Sequence, residues 1–356
     1  MKKKTLLAIL NELRCYLTCD SSKPLSMQAG ELLALLRTYR FLPYQYLIHR
    51  LYEQDVIEGV LDYMPPVLLK RYRAQVNPAE AQEKTLNKLL FAEIMRQHGL
   101  PVVQILAVIH RDKTITDLEG RPIPLGEFPG RLRRWGLSRI FVKPTHGCEG
   151  SGARILTLRG NDLYLGEEKL TDDLMIARLF SGSEYERFLV QPVVEQHPLL
   201  VAMNSASVNT LRIDTLIDES GSVQSSGAFL RVGSGKAVVD NVARGGYAIK
   251  VDVDSGRLGR YGTTHARHGR RVVEQHPDTG FRFEGVELPH WEQVQPLLTS
   301  GTRALAPLKY VGWDLAFQEQ GILLMEASAV HDLFVFQTAT GGLRNTPMGR
   351  AALAGR

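Results

Sequence analysis

Through residues 1–98 apolar residues recur at helical spacing. Leu6–Leu17, Leu32–Leu42, Tyr44–Val60 and Leu86–Met95 each predict helix, with Pro65-Pro66 and Asn77-Pro78 as punctuation. Gly99-Leu100-Pro101 ends the last of them with a glycine stop followed by proline, and Val102–Ile109 is a β-rich run. From Ile140 the period changes. Short β-rich runs lie at Ile140–Lys143, Ala153–Leu158, Leu163–Leu165, Phe188–Pro192, Val208–Asp218, Val223–Val232 and Ile249–Val253, separated by Gly, Asn, Asp and Ser. Trp291–Leu305 returns to helical spacing. Tyr310–Phe317 and Ile322–Glu326 predict two strands around a hairpin-like turn at Glu319-Gln320-Gly321. With no internal repeat and no low-complexity segment, the pattern predicts an α+β body of antiparallel sheets behind a mostly helical N-terminal region, residues 1–80.

Composition narrows the class. A chain of 356 residues, 44% hydrophobic and 23% charged, is ordinary for a soluble globular protein and long enough for two or three structural units. The net charge of +5 is spread along the chain, densest at Met1–Lys4, Arg131–Arg134 and Arg267–Arg271. A nucleic-acid binder concentrates such charge on one element and interleaves aromatics. No such element is present, so a nucleic-acid partner is not expected, and a site for ATP or an anionic substrate would account for much of the excess. Three cysteines, Cys15, Cys19 and Cys148, are too few for a disulfide framework and point to reduced thiols. Cys15 and Cys19 lie one helical turn apart and read as packing residues. The start, Lys2–Lys4 followed by Leu6–Leu10, superficially resembles a signal peptide, but Asn11, Glu12 and Arg14 break it and no small-residue cleavage site follows. No stretch is long and apolar enough to span a bilayer, so the expectation is a cytoplasmic protein without a transmembrane segment.

Four constellations carry candidate chemistry. In Phe141-Val-Lys-Pro-Thr-His-Gly-Cys-Glu-Gly-Ser-Gly152 a lysine ends one strand and a glycine-rich turn joins it to the next. Gly147, Gly150 and Gly152 would let the backbone approach phosphate oxygens, with Lys143 as a fixed charge beside them; a plain glycine-rich β-turn with a surface lysine fits as well. It is not a Walker A loop, since no Gly-Lys-Ser/Thr opens a helix. Gly312-Trp-Asp314 and Met325-Glu326-Ala-Ser328 form the second. In a tight hairpin Asp314 and Glu326 can lie side by side, and their apolar neighbours argue for burial. Facing carboxylates repel, and burying them without a cation is costly, which favours Mg²⁺ shared with phosphates over two solvent-facing acids on opposite sides of the hairpin.

The third is Val208-Asn-Thr-Leu-Arg-Ile-Asp214. Alternation puts Asn209, Leu211 and Ile213 on one face and Thr210, Arg212 and Asp214 on the other. Arg212 suits a transferring phosphate or an acyl-phosphate oxygen; an Arg212–Asp214 pair on an exposed strand is the plainer alternative. The fourth is Asp240-Asn-Val-Ala-Arg-Gly-Gly246, either a ligand-approaching loop with Asn241 and Arg244 as polar contacts or a tight turn. His265, His268, His276 and His290 read as a solvated basic loop rather than a zinc site, lacking paired cysteines. Ser205 and Ser207 lack a nucleophile-elbow context.

Taken in order, these pieces resemble the ATP-grasp superfamily over roughly residues 80–340, most of the chain. Within it the chain is most similar to the ATP-grasp proteins associated with sugar transfer and surface-polysaccharide gene clusters. Asn209-Thr-Leu-Arg212, Asp240-Asn241 with Gly245-Gly246, His276-Pro-Asp-Thr-Gly280 through Pro289-His-Trp291, and Gly312-Trp-Asp-Leu-Ala316 carry that likeness. The resemblance implies an ATP-grasp fold of two α+β subdomains gripping ATP over residues 81–340. A glycine-rich-loop subdomain would occupy about 100–190 and a metal-binding subdomain about 191–340, with a C-terminal tail at 341–356. It implies ATP and Mg²⁺ as cofactors. Lys88 and Lys143 match the phosphate-binding lysines and Arg212 a phosphate-stabilising arginine. Gln191-Pro-Val193-Val194 matches the adenine-contacting hinge, with Glu195 as a ribose contact. Asp314 and Glu326 match metal carboxylates. Asn209, Asn241 and Arg244 fall where acceptor contacts are expected. The family's last strand reads Glu-x-Asn; here it is Glu326-Ala-Ser328, so one metal ligand would be a hydroxyl or a water held by it. The implied activity is an ATP-dependent carboxylate–amine ligase working through an acyl phosphate in surface-polysaccharide or related biosynthesis, with a small or sugar-linked carboxylate and an amine acceptor as partners. A non-catalytic nucleotide-binding scaffold, an ATP-grasp phosphotransferase and a basic polyanion binder are the alternatives.

Overall fold

The computed structural model describes residues 12–54, 59–147, 150–265, 268 and 271–355. The signal-like start, the first half of the Leu6–Leu17 run, Cys148 and most of the Arg267–Arg271 stretch lie outside the described residues. None of the helices formed by the described residues is long and apolar enough to cross a membrane.

Two antiparallel sheets organise the chain. The first holds β1 (Ala107–His110), β2 (Ile115–Thr116), β3 (Arg139–Pro144), β4 (Arg154–Arg159), β5 (Asp162–Leu165), β6 (Glu168–Leu170) and β7 (Arg187–Pro192), in the order β2-β1-β7-β3-β4-β5-β6. One face buries Ile140, Val142, Leu156 and Phe188 against the helices Phe128–Arg134 and Asp172–Phe180. On the other face of β3 stand Phe141 and Lys143, by the alternation of a strand.

The second sheet holds β8 (Thr210–Ile217), β9 (Val223–Gln224), β10 (Ala228–Val232), β11 (Tyr247–Val251), β12 (Leu258–Thr264), β13 (Val272–Val273), β14 (Tyr310–Gln318) and β15 (Gly321–Ser328). Its order is β13-β12-β11-β10-β8-β14-β15, with β9 beside β8. Both faces are covered. Leu211, Ile213, Trp313 and Leu315 pack against Phe91 and Met95 of the helix Lys88–Gln97 and Leu298 of the helix Trp291–Ala304. Leu216, Phe229 and Tyr310 pack on the opposite side against Tyr39, Leu69, Phe336 and Met348. The N-terminal helices therefore share a core with the second sheet, and residues 341–356 contribute the helix Pro347–Ala354 to it.

Three expectations are corrected in detail. The run Tyr44–Val60 is α-helical only at Gln45–Ile48, with a 3-10 turn, Val60–Asp62, starting at its end, and Arg50 adopts a left-handed φ of 52° that interrupts regular structure; residues 55–58 are outside the described set. Val223–Val232 is two strands, because Ser226 and Gly227 turn their N–H groups to the Asp214 carboxylate at 2.7 and 3.1 Å. Cys19 lies beyond the helical residues that include Cys15, and both thiols are free.

The predicted hairpin forms, with Gln318 opposite Gly321. Leu315 pairs with Leu324 but Asp314 pairs with Glu326, so Met325 is an extra residue, a β-bulge. Strict alternation from the buried Leu324 would send Glu326 and Ser328 into the core. The bulge reverses that parity: Ala327 joins the core opposite Trp313, and Glu326 stands beside Asp314 on the other face.

Candidate active site

The two sheets face each other across a cleft of about 760 Å³. Lys88, Lys143, Gly147, Gly150, Gln191, Val193, Glu195, Arg212, Asn241, Asp314, Glu326 and Ser328 all line it. Residues spread over more than two hundred positions of chain are thus gathered in one place.

From the first sheet comes Lys143, buried at the end of β3. Burial lowers its pKa to about 8; the Lys88 charge adds to the fall, and the carboxylates of Glu326 and Asp314 oppose it. Among the described residues no acceptor lies within hydrogen-bond reach of its ammonium. The loop after it is tightly seated. Gly152 has φ +79°, and a Cβ there would meet Pro144 Cγ at 2.8 Å and Tyr185 Cε2 at 2.9 Å, so only glycine fits. Lys88 ties this loop to the second sheet: its N–H donates to Thr145 O at 3.1 Å, its Nζ donates to Gly147 O at 2.7 Å, and Glu326 Oε2 lies 3.7 Å from that Nζ. Asn87 caps the helix that carries Lys88, its Oδ1 accepting from Leu89 and Leu90 N–H. The end of β7 leads through Val193 and Val194 to the exposed Glu195 along one wall.

From the second sheet come the charged strands. Arg212, Asp314 and Glu326 are successive cross-strand neighbours on β8, β14 and β15. Asp314 is not left facing Glu326 without a cation. Arg212 donates from Nε to Oδ1 at 2.5 Å and from Nη2 to Oδ2 at 2.9 Å, and Arg231 Nη2 reaches Oδ2 at 2.8 Å. Burial would raise the Asp314 pKa, but the two guanidiniums outweigh it and hold the carboxyl well below its ordinary range. The alternative Arg212–Asp214 pair does not form. Asp214 instead accepts from Ser226 N, Gly227 N and Tyr310 Oη, while burial raises its pKa to about 6.

Sequence reasoning missed Arg231. It stands on β10 opposite Thr210, donates to Thr210 Oγ1 from Nε at 3.0 Å and Nη2 at 2.6 Å, and has Asp240 Oδ2 3.6 Å from its Nε. Its one signal is a lone charge in the apolar run Phe229–Val232. His331 was missed too. It lines the cleft, its Nδ1 lies 3.3 Å from Ser328 O, and its buried Nε2 has no partner among the described residues.

Three expected contacts lie elsewhere. Asn209 is fully buried behind the cleft. Its Nδ2 donates to Leu200 O and Asn204 O at 2.8 Å and to Gln196 Oε1 at 3.1 Å, and its Oδ1 accepts from Gly233 N. Its amide braces the fold because Asn209, just before β8, points to the side opposite Arg212. Arg244 is exposed and borders a smaller adjoining cavity of about 580 Å³ with Arg139 and Arg154. Gly152 shapes the loop without lining the cleft. Asn241 does line it, and its Oδ1 also caps the turn Val242–Arg244 through Ala243 N. The histidines considered for zinc do not converge: His276 Nε2 lies 2.7 Å from Gly233 O, and His290 Nε2 lies 3.1 Å from Gln318 O.

The residues present fit Mg²⁺ as an ion shared with phosphates. Among the described residues no three His, Cys, Asp or Glu side chains converge as a metal site. Glu326 is open to the cleft, and Asp314 Oδ1 accepts one hydrogen bond and keeps a second lone-pair direction. Mg²⁺ commonly takes one or two carboxylates and completes its shell with water and phosphate oxygens. Ser328 Oγ, which accepts from Val330 N at 3.3 Å, sits beside them.

Comparison with known proteins adds the family. The sequence profile of the sugar-transfer associated ATP-grasp family matches residues 68–347. No curated protein sequence matches the chain. Among solved structures, it is similar to the ATP-grasp ligase PsnB complexed with minimal precursor, at 16% identity and a TM-score of 0.38 over 78% of this chain and 62% of that one. It is also similar to the D-alanine-D-alanine ligase from Coxiella burnetii, at 12% identity and a TM-score of 0.39 over 78% and 55% of the two chains. A third is N5-carboxyaminoimidazole ribonucleotide synthetase from Thermotoga maritima, at 14% identity and a TM-score of 0.35 over 69% and 42%. The chain thus spans less than two thirds of the length of each of these proteins.

Proposed function

The chain belongs to the sugar-transfer associated ATP-grasp family, and from that premise we propose that it is an ATP-dependent ligase joining a carboxylate to an amine. The observation that carries the reading is the convergence of Lys88, Lys143, Arg212, Asp314 and Glu326 on one cleft large enough for a nucleotide and a second substrate.

In the proposed reaction a substrate carboxylate oxygen attacks the γ-phosphorus of ATP and ADP leaves. The amine nitrogen then attacks the acyl carbon, phosphate leaves, and the nitrogen loses a proton. Lys143, from β3, and Lys88, from the start of the helix Lys88–Gln97, neutralise phosphate charge, and the Lys88–Gly147 bond fixes the loop over the phosphates. Gln191 and Val193 line the adenine end, and Glu195 contacts the ribose. Arg212 steadies the transferring group, since fixed charges aimed at a phosphoryl oxygen act without reorganisation. Mg²⁺, when bound, would supply charge neutralisation to the phosphates, and Glu326, Asp314 and Ser328 would hold it. Asn241 is placed for acceptor contact. The proposed setting is the modification or synthesis of a surface polysaccharide or a related sugar-linked metabolite, inside the cell.

The test is ADP release screened against amino acids, sugar acids and their nucleotide conjugates, with mass spectrometry of the product. An amide accompanied by stoichiometric ADP and phosphate is expected. A phosphoester product would replace the ligase reading with a phosphotransferase. Nucleotide binding without carboxylate-dependent turnover would replace it with a scaffold, a reading that Ser328 in place of asparagine and the engaged oxygens of Asp314 favour.

A further inference from the structure

Arg231 is 11% exposed, yet it lines the cleft. Its Nε and Nη2 are committed to Thr210 Oγ1 and Asp314 Oδ2. Arg212 is committed in the same way, through Nε and Nη2, to the two oxygens of Asp314. Both guanidiniums thus hang from Oδ2 of one carboxylate, at 2.9 and 2.8 Å. Among the described residues neither Nη1 has an acceptor, which leaves four N–H donors on two adjacent planar cations at the wall of the cleft.

Two like charges so close repel, and the fold works to hold them there. Asp314 lies between them. Asp240 stands behind Arg231, its Oδ2 accepting from Thr210 N at 2.8 Å and from Thr210 Oγ1 at 2.5 Å. The second carboxylate therefore aims the threonine hydroxyl that orients Arg231. Gly246 makes this possible, because a Cβ there would meet Asp240 O at 2.4 Å. A lone arginine neutralising Asp314 would need none of this support.

We infer that Arg231 and Arg212 form a paired clamp for a single tetrahedral or planar oxyanion, the transferring phosphoryl group or the acyl phosphate. Asp314 is the shared anchor, and Asp240 with Thr210 positions Arg231. Each arginine offers its remaining edge, so the ligand class is an anion with at least two free oxygens. This rests on the reading of the cleft as a phosphoryl-transfer site, and it adds a second catalytic cation that no motif marked.

The experiment uses inorganic phosphate as the probe, with calorimetry on the full chain in the presence and absence of Mg-ADP. Arg231→Lys keeps the charge opposite Asp314 and Asp240 but loses the planar fork. A tenfold or larger loss of phosphate affinity is expected, with Mg-ADP affinity changed less than twofold, because ADP lacks the group the clamp holds. If Arg231→Lys does not fold, Thr210→Val decides: it leaves both arginines and removes only the hydroxyl that aims Arg231, and a threefold or larger loss is expected. Phosphate affinity equal to that of the unaltered protein in whichever variant folds overturns the clamp. Wild-type protein that binds phosphate through Arg231 but does not bind Mg-ADP leaves the clamp standing and overturns the nucleotide reading instead.

Discussion

Arg212 and Asp314 stand directly opposite each other on β8 and β14 and share a two-pronged ion pair, Nε to Oδ1 at 2.5 Å and Nη2 to Oδ2 at 2.9 Å. Asp314 also accepts from Arg231, so its loss would leave Arg212 without its counter-charge and Arg231 with Asp240 alone, 3.6 Å from its Nε. Asp314→Asn is expected to cost about 3–5 kcal/mol, the scale for breaking a buried pair from one side. Urea denaturation measures it. A loss below about 1 kcal/mol, the scale of an exposed pair, would show that the cluster is solvated in practice.

Lys143 makes nucleotide binding depend on pH. Burial pulls its pKa down to about 8, whereas in the unfolded chain it stays protonated to roughly 10.4. Across that window the unfolded state binds more protons, so this group makes stability rise with pH and fall as pH drops through 8. Phosphate binding needs the charged form and runs the other way. ATP binding at pH 9 is therefore expected to take up a proton, and at pH 6.5 none from this lysine. Calorimetry in two buffers of different ionisation enthalpy gives the count. Uptake persisting unchanged in Lys143→Met would remove this lysine from the phosphate site.

Much of the cleft was legible because its residues occur in local patterns: a lysine ending a strand before glycines, an arginine in an alternating strand, two acids on the two strands of a hairpin. Their meeting was less so. A regular ladder from the Gln318–Gly321 closure would pair Asp314 with Met325; only the bulge puts Glu326 there, and no turn residue announces it. The cation beside the acids was read as a metal, but sequence distance hid Arg212 and Arg231, which arrive from other strands. Asn209 could have been discounted, since alternation already placed it opposite Arg212.

Asn209→Ala tests that correction. Four hydrogen-bonding groups lose a buried partner, among them Gly233 N and the carbonyls of Leu200 and Asn204. Each buried group left unpaired costs about 1–3 kcal/mol. A fall in thermal stability of that order is expected, with ATP affinity of the folded fraction unchanged. A selective loss of substrate affinity at constant stability would return Asn209 to the ligand.

Glu326 and Ser328 differ in what they can offer a cation. Glu326→Gln keeps size but removes the charge that Mg²⁺ prefers, and it is expected to abolish Mg²⁺-dependent ADP release more completely than Ser328→Ala. Ser328→Asn supplies an amide oxygen and is expected to be tolerated, with tighter Mg²⁺ dependence. Titration of ADP release with Mg²⁺ in the three variants orders them. Turnover by Glu326→Gln equal to the unaltered protein would sink the metal assignment.

The contact between Gly312 and His331 explains why the second acid motif begins with glycine. A Cβ on Gly312 would fall 2.5 Å from His331 Nδ1 and 2.8 Å from Cγ. The ring cannot easily retreat: it packs against Tyr310 at 5.2 Å and Phe336 at 5.5 Å between ring centres. Burial, reinforced by the charges of Arg212 and Arg73, lowers its pKa to about 3, so it packs as a neutral ring. Gly312→Ala is therefore expected to cost about 1–3 kcal/mol, the range for overpacking a filled core. Removing the ring removes the obstacle. In a His331→Ala background the same Gly312→Ala substitution should cost close to nothing, giving a coupling energy of about 1–3 kcal/mol in a double-mutant cycle. Strand β14 carries Asp314 two residues on, so the single variant should also weaken phosphate binding, and the double variant should recover part of it. Additive stability effects, within about 0.5 kcal/mol, would show that the ring yields to the methyl group and that glycine is kept at this position for another reason.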